Sequence, residues 1–220
     1  MNKLSLDRFE ELVNEGNVVL DLRDSVLFCD GFIADSISIP FNQNFVDVFQ
    51  DLVDDSESVL LVANEADLPF ISKSLSAHGI ANVSGYLEGG FEAWQKAEKE
   101  IDMLIGIEAD EFAIDYNYDE FYLVDTRSAT DYGDEHIEDS ENISLPDLQQ
   151  VLIDLEANGS YYVYATTAIN AITAGSIFKK NGFARVRVIT CDYETLKNSG
   201  LPLYKANKKQ SSTQDKFSKN

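Results

Sequence analysis

The segments 18–23, VVLDLR, and 121–127, FYLVDTR, are one short apolar run closed by Asp-x-Arg and written twice, with Asp21 and Asp125 standing 104 positions apart. Such a run is too short for a core helix and too continuously apolar for a strand with one wet face. It reads as a strand buried on both sides in a parallel sheet. The repeat extends outward in the same order. FIADS at 32–36 matches HIEDS at 136–140, and ISIP at 37–40 matches ISLP at 143–146 after a two-residue insertion. HGIANV at 78–83 then matches NGFARV at 181–186. A duplicated domain with small loop changes follows. The first copy is expected at residues 1–100 and the second at 101–205, leaving a polar, lysine-rich stretch, 206–220, expected to be a disordered tail.

Around each repeat, helix and strand signals alternate. In the first copy Ser5 is placed to cap a helix with Leu6, Phe9, Leu12 and Val13 on one face, ended by Gly16. Asn44 to Val53 carries apolar residues at helical spacing, and Val59 to Ala63 is wholly apolar. Pro69 suits the first turn of a helix reaching His78. The second copy has Asp147 to Leu155, Tyr161 to Ala165 and Ala168 to Lys180 in the same places. Short apolar strands separated by helices predict an α/β fold of two tandem domains, each a central, mainly parallel sheet with helices on both faces. In such sheets ligands bind beyond the carboxyl ends of the strands.

Of the 220 residues, 44% are hydrophobic, enough for two cores of this size. The 39 acidic and 17 basic side chains leave a net charge of −22. A surface this acidic repels phosphate backbones and anionic lipids, so neither nucleic acid nor membrane is an expected partner. No stretch approaches the roughly 18 apolar residues of a spanning helix, and residues 1–9 lack the basic start and apolar run of a signal peptide. With two cysteines and two histidines, neither a disulfide scaffold nor a zinc cluster is expected. No cofactor or metal is implied, and a reducing cytoplasm is the expected location.

Together these motifs resemble the rhodanese homology domain, in tandem. That family's pattern is a strand ending in Asp-x-Arg, then Gly-His-Ile-x-Gly-Ala and an apolar-polar-apolar-Pro run. A strand ending in the catalytic Cys follows, and Gly-Gly-x-x-x-Trp comes near the end. The first copy carries Asp21-Leu22-Arg23, Gly31-Phe32-Ile33, Ile37 to Pro40, and Gly89-Gly90 with Trp94. The second carries Asp125-Thr126-Arg127, His136-Ile137, Ile143 to Pro146, and a closing Gly200-Leu201-Pro202. The resemblance spans about residues 4–204. It is nearest to the paired rhodanese domains that follow a metallo-β-lactamase module in persulfide-dioxygenase-like fusions, a module these 220 residues do not contain.

The resemblance implies sulfurtransferase chemistry, in which a thiolate takes a sulfane sulfur from a donor such as thiosulfate and passes it to cyanide or a thiol. Backbone N–H groups, the start of the following helix and an arginine hold the anion. Neither copy matches the residues this requires. In the second, Ala165 stands at the position of the nucleophile, Asn170 at that of the arginine, and Thr167 and Ala168 at those of the glycines. In the first, Val62, Ala63 and Asn64 are the candidates for that position, and Glu65 and Asp67 add negative charge where positive charge is needed. Cys29 and Cys191 lie elsewhere, each beside acids that favour the protonated thiol, with Cys191 at the repeat position of Gly89.

The leading expectation is therefore a catalytically degenerate rhodanese-like protein that acts by binding or regulation. Its partner is expected among proteins of sulfur or persulfide metabolism, and its contacts at the loops 63–68 and 165–171. A sulfurtransferase using Cys191 or Cys29 as a displaced nucleophile is the enzymatic alternative, and a structural remnant is the third reading. Asp21, Arg23, Asp125 and Arg127 are read as loop anchors acting through charge-assisted hydrogen bonds, and His136, at the place of the family histidine, likewise. Thr166 and Thr167 are read as caps of the helix from Ala168. Tyr161, Tyr162 and Tyr164 are read as sheet residues. DYNYDEFY, 115–122, is either a helix end, turn and strand start or a contact surface.

Overall fold

A computed structural model describes residues 1–118 and 120–206 of the chain. The first domain runs β1 (Lys3–Leu4), α1 (Leu6–Asn14), β2 (Val18–Asp21), α2 (Ser25–Asp30), β3 (Phe32–Ile33), β4 (Ile37–Ser38), α3 (Phe45–Leu52), β5 (Val59–Val62), α4 (Leu68–Ala77), β6 (Val83–Leu87), α5 (Gly90–Lys96) and β7 (Ile101–Asp102). The second runs β8 (Ile105–Ile107), α6 (Ala109–Asp115), β9 (Tyr122–Asp125), α7 (Ala129–Asp134), β10 (Glu135–Ile137), β11 (Ser140–Asn142), α8 (Leu148–Val151), β12 (Tyr161–Tyr164), α9 (Ala168–Lys180), β13 (Val186–Ile189), α10 (Tyr193–Leu196) and β14 (Leu203–Lys205). Each domain is built on a five-stranded sheet whose paired strands are all parallel, ordered β1-β6-β5-β2-β4 and β11-β9-β12-β13-β8.

Alternate residues of one strand feed the two faces of the sheet. Val18 and Leu20 of β2 point into one core, whereas Val19 joins Phe9, Phe91 and Trp94 on the other side. Full burial of each such side chain is worth roughly 1.5–3 kcal/mol. The helix signals act as their chemistry requires. Ser5 Oγ accepts from the Arg8 N–H at 3.4 Å, and Gly16 ends the turn after α1 at φ 90°. The helix expected over 147–155 is broken into α8 between short 3-10 turns at Leu145–Asp147 and Leu152–Asp154. Pro146, which fits only a first turn, sits at its start.

A short antiparallel ladder closes each domain, β7 on β3 and β14 on β10. Ile101 and Asp102 thus pair within the first domain, just past the limit expected at residue 100. Apart from Ala206, the stretch expected to be a tail lies outside the described residues.

Strand pairing corrects the alignment of the repeat at one place. Asp21 pairs with Ser38 and Asp125 with Asn142, and Asp35 and Asp139 turn through the same left-handed conformation at φ 64° and 63°. The Ile39 and Ile143 amides donate to the Asp21 and Asp125 carbonyls at 2.9 and 3.0 Å. The 104-residue offset therefore holds through this edge. Ile39 matches Ile143, no insertion precedes it, and the likeness of ISIP to ISLP is displaced by two positions. The length change comes later, because Asp21 pairs with Val62 but Asp125 with Tyr164, which removes two residues across the α3/α8 segment.

α9 joins the domains. Every residue from Ala171 to Phe178 is buried. One side lies so close to its own sheet that a Cβ on Gly175 would stand 2.3 Å from Val188 and 2.9 Å from Leu104. The other side covers β4, where Ser176 Oγ accepts from the Ser38 N–H at 3.0 Å. The hydrophobic core is continuous between the domains as a result. Among the described residues no helix is long and apolar enough to cross a membrane.

Candidate functional site

The loops that follow β2 and β9 are positioned by the same Asp–Arg device. Arg23 Nη2 donates to Asp21 Oδ2 at 2.6 Å and to the Gly31 carbonyl at 2.8 Å, and its Nε reaches both Asp21 oxygens at 3.0 Å. Arg127 repeats this with Asp125 Oδ2 at 2.7 Å and the Glu135 carbonyl at 2.7 Å. The guanidinium of Arg23 lies 3.9 Å from the Phe91 ring centre, and that of Arg127 lies 3.5 Å from the Tyr193 ring centre. Carboxylate, carbonyl and ring together fix each arginine as a strut between strand end, following loop and closing helix.

Ala63 and Ala165 follow the carboxyl ends of β5 and β12 at equivalent positions, since Asp21 pairs with Val62 and Asp125 with Tyr164. Both alanines are buried. In the first domain Gly90 approaches so closely that a Cβ there would lie 3.0 Å from the Ala63 carbonyl oxygen. Asn64 Nδ2 donates to Asp67 Oδ2 at 3.1 Å while the Asp67 N–H donates to the Asn64 carbonyl at 3.0 Å, clasping the loop on itself. Pro69 then occupies the first turn of α4 and removes one of the N–H donors an anion would use. A cavity of about 710 Å³ opens here, bordered by Arg23, Ala63, Glu65, Asp30 and Glu92.

In the second domain Thr167 Oγ1 accepts from the Asn170 N–H at 3.3 Å and so caps α9. The Thr166 carbonyl accepts from the Tyr193 N–H at 3.2 Å. Asn170 and Thr167 also face the first domain, beside Ile39, Phe45 and Val48 around a gap of about 340 Å³. The tyrosines of β12 spend their hydroxyls inside the domain. Tyr162 donates to Asp115 at 2.7 Å, Tyr161 to the Glu156 carbonyl at 3.0 Å, and Tyr164 accepts from the Ile137 N–H at 3.3 Å. The 115–122 stretch is tied to the domain at two rings, since Tyr116 donates to the Glu138 carbonyl at 3.1 Å and Phe121 packs on Phe112, while Asn117, Tyr118, Glu120 and Tyr122 are exposed. Asp119 lies outside the described residues.

His136 is held by stacking. Its ring lies 3.8 Å from that of Tyr132 and 4.7 Å from that of Tyr204, and Nδ1 is 2.7 Å from the Tyr132 carbonyl. The first domain makes the same stack from Phe28 and Phe32, 4.0 Å apart, with no titratable group. Sequence reasoning missed these stacks and the Phe91 and Tyr193 partners of the arginines. The signal was present, because the offset of 104 that relates Arg23 to Arg127 also relates Phe28 to Tyr132.

The two cysteines are free and half-buried. Burial, with Asp30 and Asp24 nearby, pushes the Cys29 thiol up to about 11. Burial, with Asp192 and Glu108 nearby, does the same to Cys191. Against an ordinary thiol the thiolate is about 100-fold scarcer at neutral pH, partly offset by its greater nucleophilicity, so reaction with an aromatic disulfide reagent is expected about tenfold slower. Measured on the Cys29→Ser and Cys191→Ser variants, the rate should climb steadily toward pH 11. A plateau below pH 8 in either would show an activated thiol.

The model of the rhodanese-like domain matches residues 5–97 and again 108–199. The chain belongs to the rhodanese-like family. Among solved structures it is similar to the Alr3790 protein from Anabaena sp., at 21% identity and a TM-score of 0.43, over 46% of this chain and 93% of that one. It is also similar to a thiosulfate sulfurtransferase from Pseudomonas aeruginosa, at 14% identity and a TM-score of 0.40, over 93% of this chain and 44% of that one. A rhodanese-like domain protein from Staphylococcus aureus is similar at 17% identity and a TM-score of 0.40, over 44% of this chain and 96% of that one. No curated protein matches the chain.

Proposed function

We propose that this rhodanese-like protein has lost sulfur transfer in both domains and works by binding, with a protein of sulfur or persulfide metabolism as its partner and a reducing cytoplasm as its location. The observation that carries this reading is the pair of alanines, Ala63 and Ala165, immediately after the strands that end opposite Asp21 and Asp125. A methyl group can neither attack a sulfane sulfur nor carry it. The surroundings agree, since Arg23 and Arg127 are engaged by carboxylate and carbonyl, and Glu65 and Asp67 would repel thiosulfate. Neither half-buried cysteine has the electropositive setting that makes a thiolate at neutral pH.

Transfer of sulfur from thiosulfate to cyanide should stay at the uncatalysed rate. Intact-mass analysis after incubation with a persulfide donor should show no stable one-sulfur adduct. An adduct on one cysteine that disappears in its Cys→Ser variant, together with turnover, would instead establish the displaced-cysteine enzyme.

A further inference from the structure

The duplicated domains treat one matching surface differently. In the first domain, β4, the start of α2 and the loop after β4 form a shelf on which α9 lies. Thr173 and Asn170 sit beside Ile39 and Phe45, Ser176 is bonded to the Ser38 amide, and Lys180 lies in the field of Asp35 and Glu57. The helix thus runs opposite to β4, with its basic end, Lys179 and Lys180, at an acidic corner. Lys179 pairs with Asp102 at 2.9 Å.

The 104-residue offset places the equivalent shelf on β11, the start of α7 and the loop 143–147. There it is an open groove of about 550 Å³ lined by Ala129, Asn142, Ile143, Leu145, Pro146 and Val151. Ser25 and Ser38, under α9, are 8% and 0% exposed, whereas their counterparts Ala129 and Asn142 are exposed and half-buried. The Asn142 amide holds the outward position on the edge strand that the Ser38 amide holds on β4. Asp139 repeats Asp35 with the same backbone turn, and Glu138 and Glu141 flank it.

We propose that this groove receives a helix from a different protein, one with small and hydroxyl-bearing residues along its face and lysine or arginine in its last turn. α9 shows what such a shelf accepts, and the acidic corner at 138–141 sets the charge of the helix end. A second copy is a poor occupant. Each copy carries −22, and α4, the counterpart of α9, would bring Glu65 and Asp67 toward Asp147. The inference stands apart from the question of sulfur transfer.

The test uses a fluorescein-labelled peptide of residues 166–181, TTAINAITAGSIFKKN, held helical by a side-chain staple and titrated into the full chain. Saturable one-to-one binding is expected, weakened at least about tenfold by Ala129→Arg, which walls the groove at an exposed site. Asp139→Asn, which tolerates the left-handed turn while removing the charge, should weaken it as well. A peptide with Ser176→Trp should bind at least about tenfold more weakly. No saturable binding up to about 1 mM, or binding indifferent to Ala129→Arg, would overturn the proposal. Self-association of the chain in sedimentation equilibrium, abolished by Ala129→Arg, would overturn it in favour of a second copy.

Discussion

Asp125→Ala is expected to destabilise the protein by about 3–5 kcal/mol, because it leaves the buried Arg127 guanidinium without its counter-charge. Asp125 is 0% exposed and Arg127 is 6% exposed, so water cannot replace the lost oxygens. The pair is intrinsically costly to bury, so what matters is that neither member is left alone. Asp125→Leu combined with Arg127→Met should therefore recover much of the loss, although the carbonyl of Glu135 loses its donor. Asp21→Ala should behave alike through Arg23, whose Nη2 bonds Asp21 and the Gly31 carbonyl. Urea midpoints of the full chain, compared at constant slope, give the differences. A loss below about 1 kcal/mol, the range of exposed pairs, would mean that the strut is solvated and holds nothing.

The same pair shows how much was legible in the sequence. Asp-x-Arg written twice disclosed the duplication and the ends of β2 and β9, because a buried strand leaves a short, continuous apolar signature, while the two candidate loops came from the resemblance to the rhodanese pattern. Ala165 could be aligned from the sequence, whereas in the first copy Val62, Ala63 and Asn64 stayed open until the pairing of Asp21 with Val62 and of Asp125 with Tyr164 made Ala63 the equivalent. What could not be read were contacts set by tertiary approach. Phe91 and Tyr193 reach the arginines across the sheet ends, and nothing local to them announces a cation partner. The edge-strand alignment failed for a related reason. The likeness of ISIP to ISLP is a matter of composition, whereas the true match of Ile39 to Ile143 is enforced by ladder geometry and by the turns at Asp35 and Asp139.

The role of α9 was the least legible feature, because a helix rich in small residues resembles a weak surface helix until the first domain is laid against it. Gly175 is where this can be broken. Alanine is preferred to glycine in a helix interior by about 1 kcal/mol, so on propensity alone Gly175→Ala should stabilise. Its Cβ would however stand 2.3 Å from Val188 Cγ1, and overpacking of this kind costs about 1–3 kcal/mol, so a small net loss is expected. Gly175→Leu has no comparable compensation and should lift α9 from its sheet. The seat of Ser176 on the Ser38 amide should then be lost, exposing β4 and separating the unfolding of the two domains. Hydrogen exchange reads this directly: protection at the Ser38 amide should collapse in Gly175→Leu while the amides of β5, in the middle of the first sheet, keep theirs. Ser72, the counterpart of Gly175 on the one-sided helix α4, supplies the control, and Ser72→Ala should be neutral or slightly stabilising. Full protection at Ser38 in Gly175→Leu would show that α9 does not hold the domains together, and would remove the template on which the open groove of the second domain is understood.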